Sequence, residues 1–128
     1  MSKLSFTEFL VYNSLKEWKA RTDGKTELVY RGFKRRGKPS VVKQFAENEY
    51  EICLWIDFYE STRDVRDIFE DLSDLDYIIL QLQFAYHTSF KEGKTIIVFD
   101  NVQLCPKAQD AARLLATQGK IDFIVMGT

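Results

Sequence analysis

Gly32-Phe33-Lys34-Arg35-Arg36-Gly37-Lys38-Pro39-Ser40 sets the fold class of this chain. Its two glycines and its lysine stand at the spacing G-x-x-x-x-G-K-[ST]. That pattern is a turn between a strand and a helix whose backbone N–H groups cradle phosphates. The lysine neutralises phosphate charge and the final hydroxyl holds Mg²⁺. Pro39 occupies the hydroxyl position. It offers no hydroxyl to a metal and no N–H to a phosphate. Its fixed φ still suits the first turn of a helix, where the missing N–H breaks no helical bond. The fold can survive this change while the chemistry suffers. Ser40 brings a hydroxyl one residue late, which on a helix points about 100° away from the required direction.

The flanks supply the context the motif needs. Glu27-Leu28-Val29-Tyr30-Arg31 is a short β-prone run, and Val41, Val42 and Phe45 follow the turn at helical spacing. Lys34, Arg35, Arg36 and Lys38 make a basic tip that attracts anions without specifying a nucleotide. A basic glycine turn before an ordinary helix fits the nonapeptide equally well. A second motif downstream shifts the balance.

Thr95-Ile96-Ile97-Val98-Phe99-Asp100 is an apolar strand ending in a carboxylate. After a phosphate-binding turn, this pattern carries an aspartate to the C-terminal edge of a sheet. There Asp100 would meet Mg²⁺ through the metal's water shell. ATPases of this type usually follow that aspartate with a glutamate that polarises water. Asn101 stands there instead, and an amide can orient a water but cannot take its proton.

Between these motifs, strands and helices alternate. Ser5-Phe6-Thr7-Glu8 reads as a capping box. Phe6, Phe9, Leu10, Leu15 and Trp18 continue as the apolar face of a helix to about Lys19. Tyr50–Phe58 is apolar with little alternation, which predicts a strand buried on both faces. Ser61 or Thr62 can cap a helix carrying Val65, Ile68, Phe69 and Leu72. Ser73 or Asp74 can cap the next, which carries Ile78, Ile79, Leu82 and Phe84 and breaks at Lys91–Lys94. Pro106 opens a further helix, Gly119 follows it as a C′ glycine, and Ile121–Met126 is the last strand. This alternation predicts an α/β three-layer sandwich with parallel strands near 28–31, 51–58, 95–99 and 121–126.

Composition sets the bounds. The 128 residues suffice for one domain, 45% hydrophobic and 14% aromatic, with a packed core. Eighteen basic and nineteen acidic residues give a net charge of −1, which argues against extended nucleic-acid binding. No apolar run is long enough for a membrane span, and the N-terminus lacks a signal-peptide layout. Cys53 and Cys105 have neither metal-ligand nor disulfide spacing, so a cytoplasmic protein with reduced thiols is expected. The single His87 disfavours histidine-based chemistry. Asp64, Asp67, Glu70, Asp71, Asp74 and Asp76 read as a solvated helical face. Asp57, at a strand end, reads more readily as a local hydrogen-bond acceptor than as a catalytic carboxylate.

Taken together, the motifs resemble the prokaryotic predicted ATPases of the AAA+ superfamily that carry an N-terminal P-loop domain and a C-terminal domain of unknown function. Leu15–Lys19 is similar to that family's helix before the first strand, Tyr30–Phe45 to its arginine-rich P-loop and following helix, and Trp55–Phe58 to its second strand. Phe99–Pro106 resembles its Asp-Glu-Ile-Gln…Pro segment, and Gly127-Thr128 its sensor position. The resemblance implies a strand order of 1-4-3-2. It implies ATP or ADP against Gly32, Lys34, Arg35, Arg36, Gly37, Lys38, Pro39, Ser40 and Thr128, with Mg²⁺ at Asp100 and Asn101 in place of the catalytic glutamate. By the same resemblance the chain would be a single P-loop domain, 1–128, stopping before a fifth strand, an arginine finger and a helical lid. The loss of both hydroxyl and glutamate predicts weak nucleotide binding with little or no hydrolysis. A P-loop-shaped interaction module that binds no nucleotide is the alternative, and phosphate or nucleic-acid capture by the basic loop a weaker third. A missing fifth strand would leave Leu28–Arg31 as an open edge, so a homodimer through that edge is expected.

Overall fold

The computed structural model describes residues 4–22, 27–31 and 38–127. In chain order the elements are α1 (Phe6–Thr22), β1 (Leu28–Arg31), α2 (Lys38–Glu49), β2 (Ile52–Asp57), α3 (Arg63–Asp67), α4 (Leu75–Ala85), β3 (Thr95–Asp100), α5 (Pro106–Ala116) and β4 (Asp122–Gly127). A 3₁₀ turn, Val102–Leu104, lies between β3 and α5.

The four strands form one parallel sheet in the order β1-β4-β3-β2, as the sequence pattern and resemblance predict. Each strand is short and apolar, and each is separated from the next by helix, so parallel pairing is the geometry the connections permit. The central strands, β3 and β4, divide their side chains between two cores. Ile97, Phe99, Phe123 and Val125 face the layer of α3, α4 and α5. Ile96, Val98, Ile124 and Met126 face α1 and α2 through Leu15, Trp18, Val41, Val42 and Phe45. This period-2 division makes the molecule a three-layer α/β/α sandwich.

Phe99 anchors the first core. Its ring lies 5.3 Å from Phe58, 5.4 Å from Phe69 and 5.9 Å from Phe123, centre to centre. The Phe58 and Phe69 contacts are edge-on, the arrangement that ring quadrupoles favour. In the second core Phe45 meets Tyr12 and Tyr50 edge-on. Tyr50 donates a hydrogen bond to Asp122, and Lys19 sits over its ring at 5.0 Å. Burial, with the Asp122 carboxylate beside it, pushes the Tyr50 phenol far above its ordinary range.

Caps follow the sequence closely. Ser5 and Glu8 complete the capping box, with Glu8 N–H donating to Ser5 Oγ at 3.1 Å and Ser5 N–H to Glu8 Oε1 at 2.9 Å. Asp74 caps α4 by accepting from Tyr77 N–H, and Thr62 caps α3 by accepting from Val65 N–H. Pro106 stands at the start of α5, where it displaces no helical bond.

Four expectations need correction. α3 ends at Asp67, before Ile68, Phe69 and Leu72, which the sequence assigns to it. β2 lies at a sheet edge, and its side chains alternate between buried Leu54 and Ile56 and more exposed neighbours. An apolar run alone cannot tell a central strand from an edge strand, because that depends on strand order. Among the described side chains of α1 only Leu15 and Trp18 are buried, while Phe6, Phe9 and Leu10 face outward. α4 stops at Ala85, well before Lys91, and His87 takes a left-handed φ of 51° in the turn that follows.

Candidate nucleotide site at the C-terminal edge of the sheet

Parallel strands all end on one edge, and ligands of open α/β sheets bind there. Here the four strand ends are Arg31, Gly127, Asp100 and Asp57. Arg31 pairs with Gly127 and Asp57 with Asp100 in register. α2 begins at Lys38, so the last three residues of the nonapeptide, Lys38, Pro39 and Ser40, form its first turn. Gly32, Lys34, Arg35, Arg36, Gly37 and Thr128 lie outside the described residues, and of Lys38, Pro39 and Ser40 the backbone alone is described.

Asp100 is carried to this edge by β3, whose Thr95–Phe99 side chains are all buried. Its carboxylate is half-buried. Burial raises its pKa, the Asn101 N–H bound to it at 2.9 Å lowers it, and the charge of Asp57 raises it further. A carboxylate in this setting gains from a cation placed beside it.

Asn101 takes left-handed backbone angles, φ 54° and ψ 43°, and opens the 3₁₀ turn. Among non-glycine residues, asparagine enters this region at little cost. Its side-chain Nδ2 donates to Asp57 Oδ1 at 2.8 Å, and Tyr59 N–H donates to the same oxygen at 2.9 Å. The other end of the amide, Oδ1, accepts from Gln103 Nε2 at 3.5 Å. A band of polar side chains thus runs from β2 over β3 toward β4.

Gly127 completes that band by what it lacks. A Cβ there would sit 2.7 Å from Gln103 Oε1 and 3.2 Å from Val102 Cγ1. The bare Cα lets Gln103 cross the end of β4. Asp57 does take the local backbone hydrogen bond that its strand-end position suggests, but it also fixes Asn101. Gln103 and Gly127 belong to the same network, and only strand register reveals it.

The donor set makes no metal centre on its own. Among the described residues no three His, Cys, Asp or Glu side chains converge to hold an ion. Asp100 suits Mg²⁺ that arrives with a nucleotide, since such a metal keeps waters and phosphates as most of its ligands. Among the described residues Cys53 and Cys105 are free thiols, and no helix is long and apolar enough to cross a membrane.

A family model described as an AAA domain matches residues 23–128. No curated protein matches the sequence significantly. Among solved structures the chain is similar to one in "Structure of Drosophila ORC bound to DNA", with a TM-score of 0.59 and 12% sequence identity. That likeness covers 94% of this chain and 78% of the other, and at such identity it speaks to the fold alone.

Proposed function

This chain belongs to the AAA domain family, and from that premise we propose that it binds ATP or ADP weakly, with little or no hydrolysis. The observation that carries the reading is the placement of two strand ends on one edge of the sheet. β1 ends at Arg31, ahead of the nonapeptide that runs into α2, and β3, separated from β1 by β4, delivers Asp100 to the same edge. The turn N–H groups, the N-terminus of α2 and Lys38 would hold the phosphates. Lys34, Arg35 and Arg36 would add attraction, and Thr128 a polar contact. Asp100 would face the Mg²⁺ that accompanies the nucleotide.

Turnover needs both a placed metal and an activated water. Pro39 removes a metal ligand. Asn101 gives an amide whose Nδ2 is held by Asp57 and whose carbonyl oxygen, already accepting from Gln103, can accept a second hydrogen bond from water without taking a proton. These two features also favour a second reading, a P-loop-shaped interaction module that binds no nucleotide.

Calorimetry with ATP, ADP and inorganic phosphate, with and without Mg²⁺, separates the readings. The first predicts weak heats with either nucleotide, lost in Lys38→Ala and changed less than about tenfold by Mg²⁺, or about 1.4 kcal/mol. No heat with any ligand leaves the interaction module. Phosphate binding as tightly as ATP indicates anion capture by the basic turn. Tight, Mg²⁺-dependent ATP binding refutes the degenerate site.

A further inference from the structure

We propose that the outer face of α4 docks a basic amphipathic helix of another protein. The observation is independent of the nucleotide site. α4 reads Leu-Asp-Tyr-Ile-Ile-Leu-Gln-Leu-Gln-Phe-Ala and carries one charged side chain, Asp76. A helix with so few polar residues normally buries more than one stripe. In α4, Asp76, Gln81 and Gln83 are the polar side chains, and one stripe is buried. Ile78 and Leu82 are buried against the sheet, while Tyr77, Leu80 and Phe84 stand 57%, 59% and 83% exposed.

Those three side chains recur at i, i+3 and i+7, so they share one stripe of the helix. With Ile68, Gln81 and Ala85 they line an open groove of about 450 Å³. A row of anchors at this spacing beside a groove is the geometry that receives a partner helix along its length. Exposed apolar side chains are ordinary when scattered, but a contiguous patch marks an interaction site.

Charge decides the occupant. The segment leading into the groove carries Glu60, Asp64, Asp67, Glu70, Asp71, Asp74 and Asp76 against Arg63 and Arg66. Arg66 is turned inward, donating to the Phe58 carbonyl oxygen and to Ser61 Oγ. Asp67 precedes Ile68 of the groove lining in sequence, and Asp76 lies one helical turn before Leu80, on the side that Lys120 also lines. The acidic side chains are exposed, and Glu70 is offset by Lys107 at 2.7 Å. Two copies meeting α4 to α4 would bring two acidic rims together. An apolar stripe flanked by lysine or arginine satisfies groove and rim at once.

The probe is a synthetic helical peptide with leucine on one face and lysine on the other, labelled for fluorescence anisotropy. Its control has glutamate in place of lysine. The lysine peptide should bind the 128-residue chain and the glutamate peptide should not. Leu80→Ser/Phe84→Ser should weaken binding at least tenfold. Asp67→Asn/Asp76→Asn should weaken it several-fold and flatten its salt dependence. The second pair alters exposed charges outside the core, so it remains informative if the first pair disturbs folding. Equal binding of both peptides, or affinity unchanged in both variant pairs, overturns the proposal. Self-association of the parent chain that Leu80→Ser/Phe84→Ser abolishes also overturns it, since the occupant is then a second copy.

Discussion

Replacing Asn101 by glutamate would restore the acid that the family resemblance expects after Asp100, yet the structure predicts that it destabilises the protein. Three costs add. Asn101 sits in the left-handed region, where a longer side chain costs about 1 kcal/mol more than asparagine. The 2.8 Å bond from its Nδ2 to Asp57 disappears, a hydrogen bond to a charged acceptor. Partial exposure holds that loss to about 1 kcal/mol. The new carboxylate then faces Asp57 and Asp100, and a like pair about 4 Å apart costs about 1 kcal/mol in a water-like surrounding. The total is about 3 kcal/mol, a large share of the roughly 5–15 kcal/mol of a typical domain. It corresponds to a fall of about 10 °C in Tm. Urea titration followed by circular dichroism measures it. Adding Asp57→Asn should recover about half, because an amide on β2 can donate to the new carboxylate while the backbone cost remains. If Asn101→Glu stays within about 0.5 kcal/mol of the parent, or if the second substitution gives no recovery, the band from Asp57 to Asn101 does not hold the site as described.

Four other outcomes are expected. Purified protein should show no ATP hydrolysis, and turnover abolished by Lys38→Ala would contradict the reading of Pro39 and Asn101. Phe99→Ala should cost about 3–5 kcal/mol by denaturant titration, because its ring fills the centre of an aromatic cluster. The folded state raises the Asp100 pKa, so it holds that proton more tightly than the unfolded chain. The stabilisation from this group is therefore gained as pH falls through the carboxylate range and lost as pH rises. Asp100→Asn should raise the urea midpoint near neutral pH and flatten its acid-side slope. Finally, β1 pairs with β4 alone among the described residues, and Val29 on it is exposed. Light scattering should show concentration-dependent association that Val29→Lys reduces and Leu80→Ser/Phe84→Ser leaves unchanged.

Element positions were legible because local signals agreed with the fold. The capping box at Ser5 and Glu8, the cap at Asp74, Pro106 at a helix start and the apolar run ending at Asp100 each act within a few residues. What escaped depends on strand order. β2 reads as buried on both faces from its apolar content, but at the sheet edge its side chains alternate between buried and more exposed. Asp57 and Asn101 are far apart in sequence, and only the alignment of Asp57 with Asp100 brings the amide to the carboxylate. Gly127 gave no turn signal, because its small size serves Gln103 and not its own backbone. Both faces of α4 look alike in sequence, and only the three-layer packing decides which one is buried.

The strand order also fixes the order of events in making the protein. β1 emerges first from the ribosome, yet its partner is β4, with Leu28 beside Ile124 and Arg31 beside Gly127. Among the described residues β1 pairs with β4 alone, so it waits for that partner until β4 has been synthesised. β2 and β3 can meet earlier, and β3 recruits β4 across α5 alone. Closing so long a loop is slow. The nonapeptide proposed to hold phosphate is thus translated early, while β1, which precedes it, gains its sheet partner last. On that proposal a nascent chain should acquire affinity for anions only once β4 has cleared the exit tunnel.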